Sequence, residues 1–162
     1  PLQIDSTKPG VLDAGLRCYS GKPIVNSVNG EEKSLSEVLP LVKKYGAAVV
    51  GLTLDENGIP KTADGRFEIA KRIVERAEAL GIDRRDVYID CLTLTVSAQQ
   101  DQAEETLKAI ARVRNELGLQ TVLGVSNISF GLPNRDIING VFFANAHVEC
   151  ALGIRFEKRC KP

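Results

Sequence analysis

Short apolar segments alternate along the chain with longer segments in which hydrophobic residues recur every three to four positions. The short segments are rich in β-branched residues and lack polar alternation, which is typical of parallel strands buried on both faces. They predict five strands: Leu2–Ile4, Pro23–Val25, Ala48–Leu54, Val87–Ile89 and Thr121–Val125. The longer segments predict five amphipathic helices: Pro9–Tyr19, Ser34–Tyr45, Arg66–Leu80, Ala103–Leu117 and Asn134–Ala146.

Residues suited to helix ends flank these helices. Ser6 and Thr7 offer an N-cap to the first helix, and Pro9 fits its first turn. The second, third and fourth helices are each followed by a glycine in a position typical of a C-cap, namely Gly46, Gly81 and Gly118. The third helix places four apolar residues on one face: Ile69, Ile73, Ala77 and Leu80. The fourth does the same with Leu107, Ile110, Val113 and Leu117.

Strand–helix alternation without a Gly-, Ser- or Pro-rich linker predicts a single α/β domain built on a parallel sheet. A polar residue follows four of the apolar strands, where it would lie at the carboxyl edge: Asp5, Asn26, Asp90 and Asn127. In a (β/α)₈ barrel these positions converge on the mouth that carries active sites. A doubly wound sheet would more often show a Gly-rich phosphate-binding turn, and the sequence has none. Because five strands in 162 residues fall short of eight, we expect a segment of a TIM barrel.

Composition narrows the function classes. Hydrophobic residues make up 43% and charged residues 26% of the chain, as in a globular domain, and the formal net charge is zero. We therefore expect neither a nucleic acid nor a membrane surface as partner. No apolar run is long enough to cross a bilayer and no export signal is visible, so a cytoplasmic location is expected. The chain starts on a strand without Met, which suggests an origin in a longer protein.

The sequence indicates no metal site. The four cysteines, Cys18, Cys91, Cys150 and Cys160, form no C-x-x-C pair, and His147 is the single histidine. A zinc site needs clustered thiolates or imidazoles. We expect reduced, mostly buried thiols and no role for His147.

Several segments carry a family resemblance in register with the strand ends. They are Ile4–Thr7, Ile24–Ser27, Gly46–Thr53, Tyr88–Asp90, Gly124–Ser129 and Leu132–Arg135. In this order they resemble the pterin-binding barrel of methyltetrahydrofolate-dependent corrinoid methyltransferases. Residues 90–97, Asp-Cys-Leu-Thr-Leu-Thr-Val-Ser, are most similar to the cobalamin-dependent methionine synthase branch. The resemblance implies a dihydropteroate-synthase-like barrel from its third strand to its seventh helix. We expect residues 1–145 to form this partial barrel and 146–162 a divergent tail, whose basic end, Lys158–Lys161, is a solvated surface.

The resemblance implies a methyltransferase that moves the N5 methyl group of methyltetrahydrofolate to cob(I)alamin, the corrinoid being carried by a partner domain or protein. Asp5, Asn26 and Asp90 would hold the pterin, whose edge alternates N–H donors and acceptors. Gly124 and Ser126 would allow close backbone approach and a hydroxyl contact. Asn127 would be the catalytic residue, giving a polarising hydrogen bond to the nitrogen that loses the methyl group. Arg135 would lie beside the site, tuning charge or contacting the polar tail of the folate.

Each of these residues also has a structural interpretation. Asp5 could cap a helix, Asn26 and Asn127 could be turn residues, and Arg135 could be a solvated helix-start residue. The loop Asp55–Gly65 could be a lid or a surface turn. For the whole chain, the alternatives are a truncated pterin-binding remnant without catalysis and a dihydropteroate-synthase-like enzyme. Five barrel strands would leave two open edges, so we expect self-association, with a homodimer as one form, and no turnover by the segment alone.

Overall fold

Five parallel strands form one sheet in the computed structural model, which describes residues 1–149, with only the backbone of Glu149. The strands are β1 (Gln3–Asp5), β2 (Ile24–Asn29), β3 (Ala48–Leu52), β4 (Val87–Asp90) and β5 (Gln120–Val122). The helices are α1 (Pro9–Cys18), α2 (Glu32–Tyr45), α3 (Ala63–Ala79), α4 (Gln102–Leu117) and α5 (Arg135–Glu149). Two 3₁₀ turns, Arg84–Asp86 and Val125–Ser129, precede β4 and follow β5. The strands lie side by side in chain order.

All five predicted strands and all five predicted helices are present in the predicted order, with different boundaries. β2 continues to Asn29, beyond the predicted Pro23–Val25, and its register against β3 shifts between Asn26 and Val28. The predicted strand Thr121–Val125 ends at Val122, because the chain turns into the 3₁₀ segment that begins at Val125.

Helix ends follow the predicted chemistry in part. Gly46 and Gly118 take the left-handed conformation of C-caps, with φ of 61° and 66°. The prediction of Ser6 or Thr7 as N-cap of α1 is wrong, since Lys8 occupies that position without a side-chain cap. α3 begins before the predicted Arg66, because the Thr62 hydroxyl accepts a hydrogen bond from the Gly65 N–H at 3.2 Å and caps the helix there.

The two faces of the sheet differ. Right-handed crossovers between neighbouring parallel strands place α1–α4 on one face, and α5 packs against α4. The strand residues that point toward the helices are fully buried: Val25, Val49, Val87 and Ile89. The intervening residues of β2, β4 and β5 are only half-buried. Burial on both faces was therefore a correct prediction for β3, whose residues Ala48–Gly51 are buried, and a wrong one for its neighbours. The predicted apolar face of α3 holds at Ile73 and fails at Leu80, which is 42% exposed.

The C-terminal expectations fall largely outside the described residues. α5 continues through the first residues of the predicted tail and ends at Glu149. Cys150, Cys160 and Lys158–Lys161 lie beyond it, whereas Cys18 is exposed and Cys91 is buried. Within residues 1–149, no helix has the length and apolar character needed to cross a membrane.

Candidate functional site

Asp5 and Asn26 lie side by side at the carboxyl edge of the sheet. They are partners in the β1–β2 register, and the Asn26 side-chain amide donates a hydrogen bond to the Asp5 carboxylate at 3.1 Å. Alternation along β1 and β2 directs both side chains to the face away from the helices, because Ile4 and Val25 pack into the core. Asp5 caps no helix, and Asn26 is a strand residue rather than a turn residue. The structural interpretations of these two residues are therefore wrong.

Asp90 ends β4 on the same face of the sheet, where it is half-buried. Its side-chain Oδ1 accepts a hydrogen bond from the backbone N–H of Leu92 at 2.8 Å. Its backbone carbonyl accepts both the N–H and the hydroxyl of Thr53 at 3.1 Å. Burial raises the pKa of Asp90 to about 6, against the opposing effects of the Leu92 N–H and of the Arg66 charge. The carboxylate is thus mostly ionised at neutral pH but close to its titration range.

Arg66, which sequence reasoning treated only as a helix-start residue, lies fully buried behind Asp90. Its guanidinium donates to the backbone carbonyls of Cys91 and Leu92, the two residues that follow Asp90, at 3.0 and 3.2 Å. The available signal was its spacing, because Arg66 lies three and seven residues before Ile69 and Ile73 on the apolar face of α3. An arginine at this position on the apolar face is unusual, because its guanidinium must be buried together with hydrogen-bond partners.

The 3₁₀ turn after β5 carries Ser126 and Asn127 and is preceded by Gly124, and all three residues are exposed. The Asn127 side chain lies against Gly124, where a Cβ would come within 3.2 Å of Nδ2. A larger residue at position 124 would therefore displace the amide. Asn127 is part of a 3₁₀ turn, so its interpretation as a turn residue is confirmed, and its catalytic role stays a prediction.

Backbone hydrogen bonds join this turn to the loop that follows Asp90. The Val96 N–H donates to the Ile128 carbonyl at 3.0 Å. The hydroxyls of Thr95 and Ser97 both donate to the Phe130 carbonyl at 3.0 Å. The loops that carry Asp90 and Asn127 therefore form one hydrogen-bonded unit at the carboxyl edge.

Arg135 supports the turn from the start of α5. It donates to the Ser126 carbonyl at 2.9 Å and to the Ser129 hydroxyl at 3.0 Å, and its guanidinium lies over the Phe130 ring at 4.9 Å. The Ser129 hydroxyl, in turn, donates to the Asn139 side chain at 2.7 Å. Arg135 is thus a brace of the Asn127 turn rather than a purely solvated residue, and its contact with a ligand stays a prediction.

One buried hydroxyl near Asp90 is unsatisfied. Among the side chains of the described residues, the Thr93 hydroxyl is the buried polar group without a hydrogen-bond partner. An unpaired buried hydroxyl is costly. The predicted lid, Asp55–Gly65, contains a tight turn closed by paired backbone bonds between Asp55 and Gly58. Its role as a lid stays a prediction.

The family model for "Pterin binding enzyme" matches residues 1–156. The chain belongs to the pterin-binding enzyme family. It is 39% identical over 155 residues to the methionine synthases of Mycobacterium leprae (strain TN) and Mycobacterium tuberculosis (strain ATCC 25618 / H37Rv). It is 32% identical over 145 residues to the methylcorrinoid:tetrahydrofolate methyltransferase of Eubacterium limosum. Each match covers 88% of this chain, but only 13% of the methionine synthases and 54% of the methyltransferase.

Solved structures of dihydropteroate synthase from Xanthomonas albilineans share the fold. One, in complex with indole-2-carboxylic acid and 6-chloroguanine, gives a TM-score of 0.64 at 22% identity, covering 98% of this chain and 60% of that one. Another, in complex with 7,8-dihydropteroate, gives 0.62 at 20% identity, covering 98% and 61%. The open five-stranded sheet of this family member is therefore a segment of a TIM barrel, as predicted.

Proposed function

We propose that this chain binds methyltetrahydrofolate at the carboxyl edge of its sheet and supports transfer of the N5 methyl group to a corrinoid partner. One observation carries the proposal: Asp5, Asn26 and Asp90 share the face of the sheet that the helices leave uncovered, at the edge where barrel enzymes act. Membership in the pterin-binding family and the methyltransferase relatives support it.

The edge offers the polar groups that a pterin needs. The carboxyl groups of Asp5 and Asp90 accept hydrogen bonds from amino and ring N–H groups, and the Asn26 amide both donates and accepts. Because an unpaired buried polar group costs roughly 1–3 kcal/mol, such a set discriminates strongly in favour of a ligand with matching donors.

The methyl transfer requires charge control at N5. When the bond between N5 and the methyl carbon breaks, its electron pair stays on N5, and a proton taken up from solvent at N5 makes the amine a better leaving group. Asn127 assists by a polarising hydrogen bond to N5, since an amide does not act as an ordinary acid. The Gly124 backbone and the Arg135 brace hold Asn127 in place for this role.

A corrinoid bound to a partner domain or protein would supply the nucleophile that takes the methyl group. Because this chain spans 13% of the methionine synthases it matches, the synthesis of methionine and the choice of final methyl acceptor belong to the proposal and not to the observations. A cytoplasmic location is part of the same proposal.

The proposal is tested by titrating the 162-residue chain with 5-methyltetrahydrofolate and by assaying methyl transfer to cob(I)alamin in the completed barrel, since no turnover is expected of the segment alone. A matched control aspartate lies immediately before β4, at the end of the strand opposite Asp90. Asp90→Asn alters the carboxyl edge, whereas Asp86→Asn alters a half-buried aspartate at the opposite end, which pairs with Lys22 at 2.6 Å. We expect binding by the parent chain, its loss in Asp90→Asn and its retention in Asp86→Asn.

The remaining outcomes separate the alternatives. Folate binding without methyl transfer to cob(I)alamin would identify a pterin-binding remnant. Tighter binding of 7,8-dihydropteroate than of methyltetrahydrofolate would favour a dihydropteroate-synthase-like enzyme. Absence of pterin binding would contradict the proposed function.

A further inference from the structure

Arg66 is a buried cation whose hydrogen-bond partners are all uncharged. Five acceptors surround its guanidinium at 2.6–3.2 Å: Pro60 O, Cys91 O, Leu92 O, Gln102 Oε1 and Thr106 Oγ1. Removing a guanidinium from water without a paired carboxylate is costly. A leucine or methionine at position 66 would continue the apolar face of α3 without that cost. Filling the core does not by itself account for the arginine, because what the guanidinium adds is a set of hydrogen bonds to these five acceptors.

The hydrogen bonds of Arg66 lead directly to Asp90. The Cys91 carbonyl and the Leu92 N–H belong to one peptide group. Its oxygen accepts from Arg66 Nη1 at 3.0 Å, and its N–H donates to Asp90 Oδ1 at 2.8 Å. The peptide group therefore bridges the guanidinium and the carboxylate, and each hydrogen bond polarises the other.

The backbone conformation of Leu92 shows that this peptide group is constrained. Leu92 has a φ of 60°, in the left-handed region that a leucine rarely adopts. Such a conformation persists only where the surroundings impose it. Arg66 provides part of that restraint, because it also donates to the Leu92 carbonyl, which accepts the Thr106 hydroxyl as well.

The charged groups near the Cys91–Leu92 peptide group also link Arg66 to Asp90. Burial lowers the pKa of Arg66, and the nearby Cys91, Glu105 and Asp90 oppose that effect. Glu105 lies on α4 and accepts the Ala63 N–H at 2.7 Å. The strand neighbours opposite Asp90, Leu52 and Val122, carry no charge. Arg66 is thus the cation that favours the ionised form of Asp90.

We infer that Arg66 is a positioning residue, which acts through the Cys91–Leu92 peptide group to hold the Asp90 carboxylate ionised and oriented toward the pterin. This inference rests on the proposed function for its pterin, but the coupling itself is a property of the ligand-free chain. Arg66 does not touch the substrate. It determines how strongly the Asp90 carboxylate accepts a hydrogen bond from the substrate.

The first test uses the unmodified chain and NMR titration. The Asp90 carboxyl carbon, the Leu92 amide and the Arg66 Nη1–H, which donates to the Cys91 carbonyl, should share one midpoint at about pH 6. A Leu92 amide or an Arg66 Nη1–H that does not respond to the ionisation of Asp90 would overturn the inference. This measurement decides the question even if substitutions at Arg66 prevent folding.

The second test compares Arg66→Met and Arg66→Lys with Gln102→Met as control. Gln102→Met removes one acceptor of Arg66 but leaves the peptide bridge intact. In Arg66→Met the Asp90 midpoint should move to higher pH, and affinity for 5-methyltetrahydrofolate should fall roughly tenfold more at pH 6 than at pH 8. Arg66→Lys should restore part of both. Gln102→Met should leave the midpoint unchanged.

The outcomes distinguish the inference from the proposed function. If the parent chain binds no folate while the Asp90 midpoint rises in Arg66→Met, the proposed function fails and the coupling stands. If folate binds but Arg66→Met, still folded, keeps the parent midpoint and pH dependence, Arg66 is a stabilising residue only and the inference is wrong.

Discussion

Two aspartates occupy equivalent places at the ends of parallel strands, in very different surroundings. Asp5, at the end of β1, is exposed and hydrogen-bonded only to the Asn26 amide among the contacts of its side chain that the structure describes. Asp90, at the end of β4, is half-buried and bound to a peptide group that Arg66 holds from behind. The same residue type at the same edge of the sheet is thus exposed to solvent at the end of β1 and partly buried at the end of β4.

The contrast indicates that the two carboxylates at this edge of the sheet can contribute differently to ligand binding. A fixed, partly desolvated carboxylate discriminates between ligands, because a mismatched donor leaves it unpaired. An exposed carboxylate can adapt to a ligand but gains little from each contact, since water competes with it. We therefore expect Asp90 and its surroundings at the end of β4, the β4 corner, to supply most of the selectivity for a pterin. Asp5 and Asn26 at the ends of β1 and β2, the β1 corner, should adapt their side chains to the bound ligand.

The largest expected effect is on the free energy of unfolding, which should depend on pH through the ionisation of Asp90. Its pKa is about 6 when folded, above the ordinary value of 3.8. Ionisation therefore destabilises the folded chain, and the stability present below pH 3.8 is lost as the pH rises through about 6. Asp90→Asn should remove this loss and raise the unfolding free energy at pH 7.5 by up to about 3 kcal/mol.

Urea unfolding of both proteins at pH 4 and pH 7.5 measures this difference. The lowered pKa values of Asp13 and Asp83, about 2 in each case, affect parent and variant equally and cancel. Equal stabilities at pH 7.5 would show that Asp90 is not desolvated.

The next effect is on affinity. Asp90→Ala should weaken binding of 5-methyltetrahydrofolate by roughly 1–3 kcal/mol, because a pterin donor loses its acceptor. Isothermal titration at pH 7.5 measures it, with Asp86→Ala as the control at the other end of β4. A loss no larger than that of the control would remove the special status of the β4 corner.

A smaller effect is expected at the turn joined to the Asp90 loop. In the completed barrel, Asn127→Ala should slow methyl transfer about tenfold while changing folate affinity less, because its proposed hydrogen bond to N5 strengthens as charge develops there. Single-turnover kinetics with cob(I)alamin separate the two quantities. Equal losses in affinity and rate would assign Asn127 to binding alone.

The smallest expected effect is the change in folate affinity when Asp5 is replaced. Asp5→Ala should weaken folate binding by less than about 1 kcal/mol, since its carboxylate is exposed and competes with water. The same titration as for Asp90→Ala measures it. A loss as large as that of Asp90→Ala would mean that a ligand buries the β1 corner fully, and that the contrast between the corners exists only without ligand.

The sequence predicted the order of elements and the edge that carries the candidate site, but it did not predict how the site is supported. Asp5, Asn26 and Asp90 were recognisable because each follows an apolar strand. Arg135 was expected near a ligand, yet its hydrogen bonds run to Ser126 and Ser129. Those bonds depend on how the Asn127 turn folds back on α5, which no local pattern encodes.

Strand and helix periodicity were determined by the sequence alone, because backbone geometry fixes periods of two and 3.6 residues without reference to the rest of the chain. Gly46 and Gly118 end their helices for the same local reason. The burial of Arg66, the left-handed Leu92 and the bridge between them were decided by tertiary structure. Arg66 meets its acceptors Cys91 and Thr106 across 25 and 40 residues of chain. Only the packing of α3 against β4 and α4 brings those groups together and excludes the water that would otherwise solvate them.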